Sequence, residues 1–232
     1  MDELNPSNEE LSSWGLKEIV EKERIKDDLL KNQEDSQRTE QEIISLFASM
    51  HDINTQESFD AYRKKFGLGD KELLAVARRS ARWVELCEKR FKNKAATLFL
   101  QKKSSLDKVS YSLLFFEDEA LASEIFVRIK EAECSLDDAL KQSSQGPPGL
   151  STGRVGPVAL GEMPSALAEL MRVSQPGQLW PPKQIEGGWV IVRHEKLWPA
   201  VFNRYERLRL LLELGDTWIT DQLKKASKSA SF

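Results

Sequence analysis

Two short segments about thirty residues apart limit what this chain can fold into more than any other feature of its sequence. Thr152–Val158 (TGRVGPV) is a glycine-punctuated turn that runs into Met163–Leu167 (MPSAL). Gly187–Arg193 (GGWVIVR) is a tight turn followed by a short apolar run. Glycine permits the backbone conformations of tight turns, and a short apolar run bounded by turn signals is typical of a buried strand. The two segments therefore predict a compact unit in which tight turns join strands and helices.

Apolar residues recur at helical spacing in both flanks of the chain. Residues 1–45 are rich in charge and predict one long, partly solvated helix. The pattern stays helical over residues 39–99, with a stop at Gly67 and Gly69. Residues 202–226 form a last amphipathic helix. Because its apolar stripe is broad, we expect this helix to pack against the N-terminal helices.

Between the flanks, strand and helix patterns alternate. The first predicted elements are a strand at Val109–Phe116 and helices at Glu119–Glu133 and at 136–140. A turn-rich loop at 145–153 and a strand follow. The last elements are the helix Ser165–Met171, a bend at Pro181–Pro182 and the strand Trp189–Val192. The predicted fold class is α+β. A helical domain of N-terminal helices plus a returning C-terminal helix carries an inserted β-α-α-β-α-β module. The predicted boundaries are a charged helix or tail at 1–37, helices at 38–105, the module at 106–199 and the last helix at 200–232.

Composition excludes several classes of protein. The net charge of −3 over 232 residues argues against a nucleic-acid partner, because such proteins usually carry a basic excess. Seven cationic residues cluster along the chain, but Glu85 and Glu88 interrupt them, so they predict a solvated helix face: Arg78, Arg79, Arg82, Lys89, Arg90, Lys92 and Lys94. No apolar run is long enough to span a bilayer.

Targeting signals and cysteine usage predict a cytoplasmic location. The acidic N-terminus lacks the basic start and apolar core of a signal peptide. Cys87 and Cys134 are isolated in sequence, which fits small core residues in a reducing compartment. His51 is expected at the surface, and His194, at the end of the last predicted strand, is expected to be exposed or capping. Two histidines and two cysteines so far apart give no metal-site spacing, and we expect no cofactor.

The central module resembles the parvulin family of peptidyl-prolyl cis-trans isomerases. Ser110–Leu114 stands where the family has a first strand like Ala-Arg-His-Ile-Leu, and Thr152–Gly156 stands at its Gly-Gly-Asp-Leu-Gly turn. Gly188–Arg193 matches a last strand like Gly-Phe-His-Ile-Ile-Lys, and Gly177 and Pro182 keep the family's spacing. The flanking helices match the architecture of parvulin-type foldases and periplasmic chaperones. The whole chain is also similar to cytoplasmic parvulin-like proteins of cyanobacteria, some of which lie beside peptide-export systems.

The resemblance implies a site whose polar half is replaced. Ser112 and Val190 occupy the positions of the two histidines, Arg154 that of an aspartate or cysteine, and Ile185 that of a threonine or serine. The apolar half is kept. Met163 and Leu167 match the residues that cradle the proline ring, and Leu160 and Trp180 are candidates to complete this substrate-binding pocket.

Isomerisation of an X–Pro bond breaks no covalent bond, but it crosses a barrier of about 20 kcal/mol. A catalyst must favour the twisted amide through placed polar groups, because a pocket that binds ground and transition states alike gives affinity without rate. Ser112 is a candidate hydrogen-bond donor, and Arg154 is expected to face a carbonyl or, more simply, solvent. We therefore expect a protein that binds proline-containing or unfolded polypeptide with weak or no isomerase activity.

Two alternatives stay open. One is a non-catalytic adaptor or chaperone that serves a peptide-export or maturation system through its helical domain. The other is an interaction domain whose parvulin pattern is coincidental. Replacing Met163 and Leu167 by Ala is expected to abolish peptide binding and leave the fold intact.

Overall fold

The computed structural model of this protein describes residues 6–229, and the chain divides into two compact units. The helical unit takes residues 1–98 and 203–232, and the sheet unit takes residues 99–202. Helices from both ends of the chain thus build one unit and an α+β unit is inserted between them in sequence, which confirms the predicted fold class. Residues 1–5 and 230–232, at the outer ends of the predicted terminal helices, lie outside the described residues.

The helices of the described residues are α1 (Asn8–Ser13), α2 (Lys17–Leu30), α3 (Glu40–Met50), α4 (Gln56–Phe66), α5 (Asp70–Leu106), α6 (Glu119–Lys130), α7 (Leu136–Leu140), α8 (Ser165–Val173) and α9 (Arg204–Ser229). The strands are β1 (Lys108–Phe116), β2 (Gly153–Ala159), β3 (Leu179–Ile185) and β4 (Gly188–Trp198). A single 3-10 turn at Leu160–Glu162 follows β2.

The prediction of one long helix over residues 1–45 is wrong, because the segment forms two helices and the start of a third. Gly15 adopts a φ of +69°, a left-handed conformation that ends α1. Thr39 begins α3 through a capping box, in which its hydroxyl accepts from Glu42 N–H and the Glu42 side chain accepts from Thr39 N–H. The apolar residues do recur at helical spacing, but Gly15 and the capping box at Thr39 divide the segment into separate helices.

The core of the helical unit joins the two ends of the chain. Trp218 of α9 stacks on Trp83 of α5 with ring centroids 6.2 Å apart. Arg207 of α9 forms an ion pair with Glu88 of α5 at 3.1 Å. Cys87 lies fully buried beside them, and burial raises the pKa of its thiol to about 12. Packing around two tryptophans therefore fixes α9 on α5 within this unit.

The sheet unit is built on one antiparallel sheet in the order β2-β1-β4-β3. Strand β3 was missing from the predicted frame, and the predicted bend at Pro181–Pro182 is wrong because the strand runs through both prolines. Proline lacks an N–H, but an edge strand pairs on one side only and tolerates it. The ladder between β3 and β4 is irregular between Trp180 and Lys183, where the two prolines lie.

The sheet has two faces, each covered by its own helices. Side chains alternate along a strand, so neighbouring residues point to opposite faces. The face that packs against α8, here called the α8 face, carries Val109, Tyr111, Leu113, Phe115, Val190 and Val192. The opposite face, here called the α7 face, packs against α6 and α7 and carries Leu114, Phe116 and Ile191.

Candidate functional site

The α8 face gathers all four residues predicted to bind a proline ring. Leu160 lies in the 3-10 turn after β2, and its N–H donates to the Asp107 carbonyl at 2.9 Å. Met163 follows this turn, and Leu167 lies one turn into α8. The three side chains belong to one buried cluster, and Trp180 of β3 packs against it half-buried. Local chain geometry thus brings Leu160, Met163 and Leu167 together, and β3 adds Trp180.

Two of the predicted catalytic positions lie in the same cluster and offer only hydrocarbon. Ile185 and Val190 pack with Leu167 on the α8 face. Val190 and Leu167 are fully buried, and Met163 is 9% exposed. A ligand at the surface therefore contacts the partly buried border of the cluster, which includes Trp180, before Val190 or Leu167.

The burial of Leu167 bears on the double substitution Met163→Ala with Leu167→Ala. Replacing a fully buried leucine by alanine leaves a cavity and costs about 2–5 kcal/mol of unfolding free energy. This double variant would therefore change stability as well as peptide binding. A variant aimed at peptide binding must change a residue at the edge of the cluster instead.

Ser112 lies on the α7 face, away from Met163 and Leu167. It is fully buried, and its hydroxyl donates to Glu195 Oε1 at 2.6 Å. The same carboxylate oxygen accepts from Arg193 Nε at 2.8 Å. In register, Ser112 has Arg154 of β2 on one side and Arg193 of β4 on the other. The structure therefore places Ser112 in a charged row across the sheet, separate from the apolar cluster.

The charged row is balanced by neighbouring carboxylates. Burial raises the pKa of Glu195, but the hydrogen bonds from Ser112 and Arg193 and the nearby guanidinium charges outweigh it and hold that pKa below its usual value. Arg154 is exposed and donates to both oxygens of Asp137 in α7, at 2.7 and 2.9 Å. A cavity of about 440 Å³ beside this row is lined by Ser110, Tyr111, Arg154, Val155, Gly156, Arg193 and Glu195. The two guanidinium charges of the row and the two carboxylate charges cancel. The row therefore stabilises the sheet and attracts an anion only weakly.

The α8 face also carries two polar residues that the sequence analysis did not place there. Tyr111 is 4% exposed, burial raises the pKa of its hydroxyl, and it faces His194 directly across β1 and β4. His194 is fully buried, so the expectation of an exposed or capping residue is wrong. The predicted strand ended near Val192, whereas β4 continues to Trp198 and keeps His194 inside the sheet.

No signal in the sequence fixes which strand residues face α8. Both partners of β1 are irregular beside Tyr111: β4 has one extra residue between His194 and Lys196, and β2 has one extra residue between Val155 and Val158. A bulge changes which residues face a given side of the sheet. The family pattern assigns the histidine position to Ser112, but the register places Tyr111 beside the apolar cluster.

The other candidate ligands lie apart. His51 is at the surface of the helical unit, with its ring 4.5 Å from that of Phe47; partial burial lowers its pKa although Asp52 opposes the shift. Within residues 6–229, no group of three or more His, Cys, Asp or Glu side chains is placed to hold a metal ion.

In the same part of the chain no helix has the length and apolar character needed to cross a membrane.

A larger cavity, of about 680 Å³, lies in the helical unit. Its lining is largely apolar and combines residues of α3, α4 and α5 with the loop between α3 and α4. The apolar lining residues are Ile44, Ala48, Ile53, Phe59, Leu73 and Leu74, and the charged ones are Glu40, Arg63 and Asp70. Its size is in the range of clefts that bind small ligands or side chains of a partner.

Comparison with known proteins gives structural neighbours only. No family model matches the chain, and no curated protein matches it. Among solved structures, the peptidyl-prolyl isomerase PrsA of Bacillus anthracis is 17% identical, with a TM-score of 0.39 over 91% of this chain and 97% of that one. The foldase PrsA of Streptococcus pneumoniae is 14% identical, with a TM-score of 0.43 over 93% and 84%. A SurA-like chaperone of Campylobacter jejuni is 15% identical, with a TM-score of 0.37 over 91% of each chain. The structural neighbours of this chain are thus PrsA-type foldases and SurA-like chaperones, at low identity.

Proposed function

We propose that this protein is a parvulin-like foldase or chaperone that binds proline-containing or unfolded polypeptide and has weak or no isomerase activity. One observation carries the proposal. The α8 face retains the apolar cluster of Met163 and Leu167, while the two polar positions nearest to it are filled by Ile185 and Val190.

The chemistry of isomerisation supports the catalytic half of this proposal. Favouring a twisted amide requires polar groups aimed at its carbonyl or its nitrogen. Ile185 and Val190 have none, the Ser112 hydroxyl is engaged by Glu195 on the other face, and Arg154 is engaged by Asp137. Tyr111 belongs to the cluster itself, and burial raises the pKa of its hydroxyl. Affinity for polypeptide without acceleration is the expected outcome.

Polypeptide binding is supported by apolar surface in both units. In the sheet unit, Met163 and half-buried Trp180 border the cluster. In the helical unit, the 680 Å³ cavity combines apolar lining residues with polar and charged ones. Apolar concavities rimmed by polar groups are typical of surfaces that hold side chains of a partner.

Exchange spectroscopy on a short Ala-Pro peptide tests this function. We expect cis/trans exchange at the uncatalysed rate, with peptide resonances shifted or broadened when the protein is added. Accelerated exchange would show a working isomerase and contradict the catalytic half of the proposal. In that case Tyr111→Phe, which removes one hydroxyl and keeps the ring, identifies whether Tyr111 is responsible.

A matched pair of substitutions tests the helical cavity. Ala48 lines the cavity on α3, whereas Ala61 on α4 is exposed and lies outside its lining. Ala48→Arg fills the cavity with a long charged side chain and is expected to weaken binding of an unfolded protein. Ala61→Arg adds the same charge and is expected to leave binding unchanged. Equal binding by both variants excludes this cavity as a client site.

The adaptor function makes a different prediction about partners. A foldase or chaperone recovers many unfolded clients, and an adaptor recovers one folded partner in fixed stoichiometry. Capture on immobilised wild-type protein, with the Ala48→Arg variant as control, separates the two. One stoichiometric partner, such as a component of an export system, would replace the proposed foldase function with the adaptor function.

A further inference from the structure

Two buried polar atoms of the sheet unit have no hydrogen-bond partner within the described residues: Trp180 Nε1 and His194 Nε2. Leaving a buried polar group unpaired costs free energy, so each such atom in a native protein calls for an explanation. Both residues belong to the α8 face, since Trp180 packs against its cluster and His194 pairs with Tyr111 of that face. The apolar site therefore carries polar groups that the fold itself does not use.

The hydrogen bonds of Ser174 define what His194 offers. The Ser174 hydroxyl donates to the Met171 carbonyl at 3.2 Å, which leaves its oxygen as an acceptor. His194 Nδ1 lies 2.9 Å from this oxygen and 3.3 Å from the Ser174 carbonyl oxygen. Because a carbonyl only accepts, both contacts assign the proton to Nδ1. In the neutral tautomer that carries this proton, His194 Nε2 is an acceptor, and Trp180 Nε1, which always carries a hydrogen, is a donor.

Strand register places the two residues on one face of the sheet. Trp180 pairs with Val192, and His194 is two residues further along β4 on the same face. Such diagonal neighbours are separated by about 7–8 Å between Cα atoms. An extended polypeptide rises about 3.3 Å per residue and presents N–H and C=O groups along its edge. A short extended segment therefore offers an acceptor for the indole N–H and a donor for the imidazole.

We infer that Trp180 Nε1 and His194 Nε2 form a backbone-recognition point in which the indole N–H donates to a carbonyl of a bound extended polypeptide and the imidazole accepts from an N–H of the same segment. This inference rests on the proposed polypeptide-binding function and names the atoms that read the backbone. Both nitrogen atoms are buried in this structure, so a bound segment must displace neighbouring side chains to reach them. Half-buried Trp180 is then the residue that the segment contacts first. An X–Pro bond offers its carbonyl but no N–H at proline, so the N–H comes from a flanking residue.

Binding of the Ala-Pro peptide, measured by titration calorimetry and NMR, tests the inference with matched variants. Trp180→Phe removes the N–H and keeps an aromatic ring, and Trp189→Phe makes the same change on the α7 face. His194→Leu removes the acceptor, and His51→Leu is its control in the helical unit. We expect Trp180→Phe and His194→Leu each to weaken the Kd about three- to tenfold, the range expected for one hydrogen bond, with no change in either control.

Two measurements on the wild-type protein keep the test valid if a variant folds poorly. The Trp180 indole N–H and His194 Nε2 resonances should both shift when the peptide is added. A series of peptides replaces each backbone N–H in turn by an ester oxygen. One replacement should weaken binding to the wild-type protein about three- to tenfold and leave the Kd for the His194→Leu variant unchanged. Wild-type binding with neither resonance shift nor variant effect overturns the inference and indicates that internal water satisfies these atoms. Absence of any wild-type binding overturns the proposed function and this inference with it, which separates the two failures.

Discussion

The two faces of the sheet differ in how they use polar residues. On the α7 face, Ser112, Arg193 and Glu195 are joined by hydrogen bonds of 2.6 and 2.8 Å, so each buried polar group has a partner. On the α8 face, hydrocarbon side chains fill the cluster, and Trp180 and His194 each keep a buried polar atom that has no partner among residues 6–229. A satisfied network stabilises a fold, whereas unsatisfied groups in an apolar site are typical of a surface that binds something else.

Within the sheet unit, the α7 face thus contributes stability, and the α8 face is the one suited to recognition. The positions at which the resemblance implies catalysis are divided between the faces: Ile185 and Val190 lie on one, and Ser112 and Arg154 lie on the other. The four positions therefore do not line one face of the sheet. The polar residues that remain near the apolar cluster are Tyr111, Trp180 and His194, which belong to a different set of strand positions.

The largest effect is expected at the centre of the α8 face. Leu167→Ala should lower the free energy of unfolding by about 2–5 kcal/mol, because a fully buried side chain leaves a cavity among close-packed neighbours. Urea unfolding monitored by circular dichroism measures the change. A loss below about 1 kcal/mol would mean that the cluster collapses around the gap and is more adaptable than its burial indicates.

The sequence predicted this apolar face better than it predicted the polar groups. Met163 and Leu167 were assigned from the resemblance to the parvulin family, and they lie close together in one turn and one helix whose local geometry does not depend on the rest of the sheet. The pairing of His194 with Tyr111 depends on where β4 ends and on the extra residue in β4 between His194 and Lys196. Strand length and bulges are decided by pairing between distant segments, which a single sequence pattern does not record.

On the α7 face, removing the shared carboxylate should have the next largest effect. Glu195→Ala leaves the buried Ser112 hydroxyl and the Arg193 guanidinium without their acceptor. We expect a loss of about 1–3 kcal/mol in unfolding free energy, the cost of unpaired polar groups. Glu195→Gln keeps one acceptor oxygen and should lose less. If both variants lose the same amount, the charge of Glu195 rather than its hydrogen bonds stabilises the sheet.

Acid should weaken the α7 face through the same carboxylate. Although burial acts to raise the pKa of Glu195, hydrogen bonds from Ser112 and Arg193 lower it overall. A carboxyl whose folded pKa is depressed stabilises the fold above its unfolded pKa, and this contribution is lost as the pH falls through the folded value. The difference in unfolding free energy between wild type and Glu195→Gln should therefore be present at pH 7 and shrink below about pH 4.5. A difference that does not change between pH 7 and pH 3 would contradict the assigned shift.

The smallest effect is expected at the exposed end of the charged row. Arg154 and Asp137 form a two-pronged ion pair, but both side chains are more than half exposed to solvent. Exposed pairs contribute only about 0–1 kcal/mol, since water and salt screen the attraction and two flexible side chains must be ordered. Arg154→Ala, Asp137→Ala and the double variant form a cycle whose coupling energy should fall in this range and decrease in 1 M salt. A coupling above about 2 kcal/mol would place Arg154 among the residues that hold the sheet together, and the two faces would then differ less than their burial indicates.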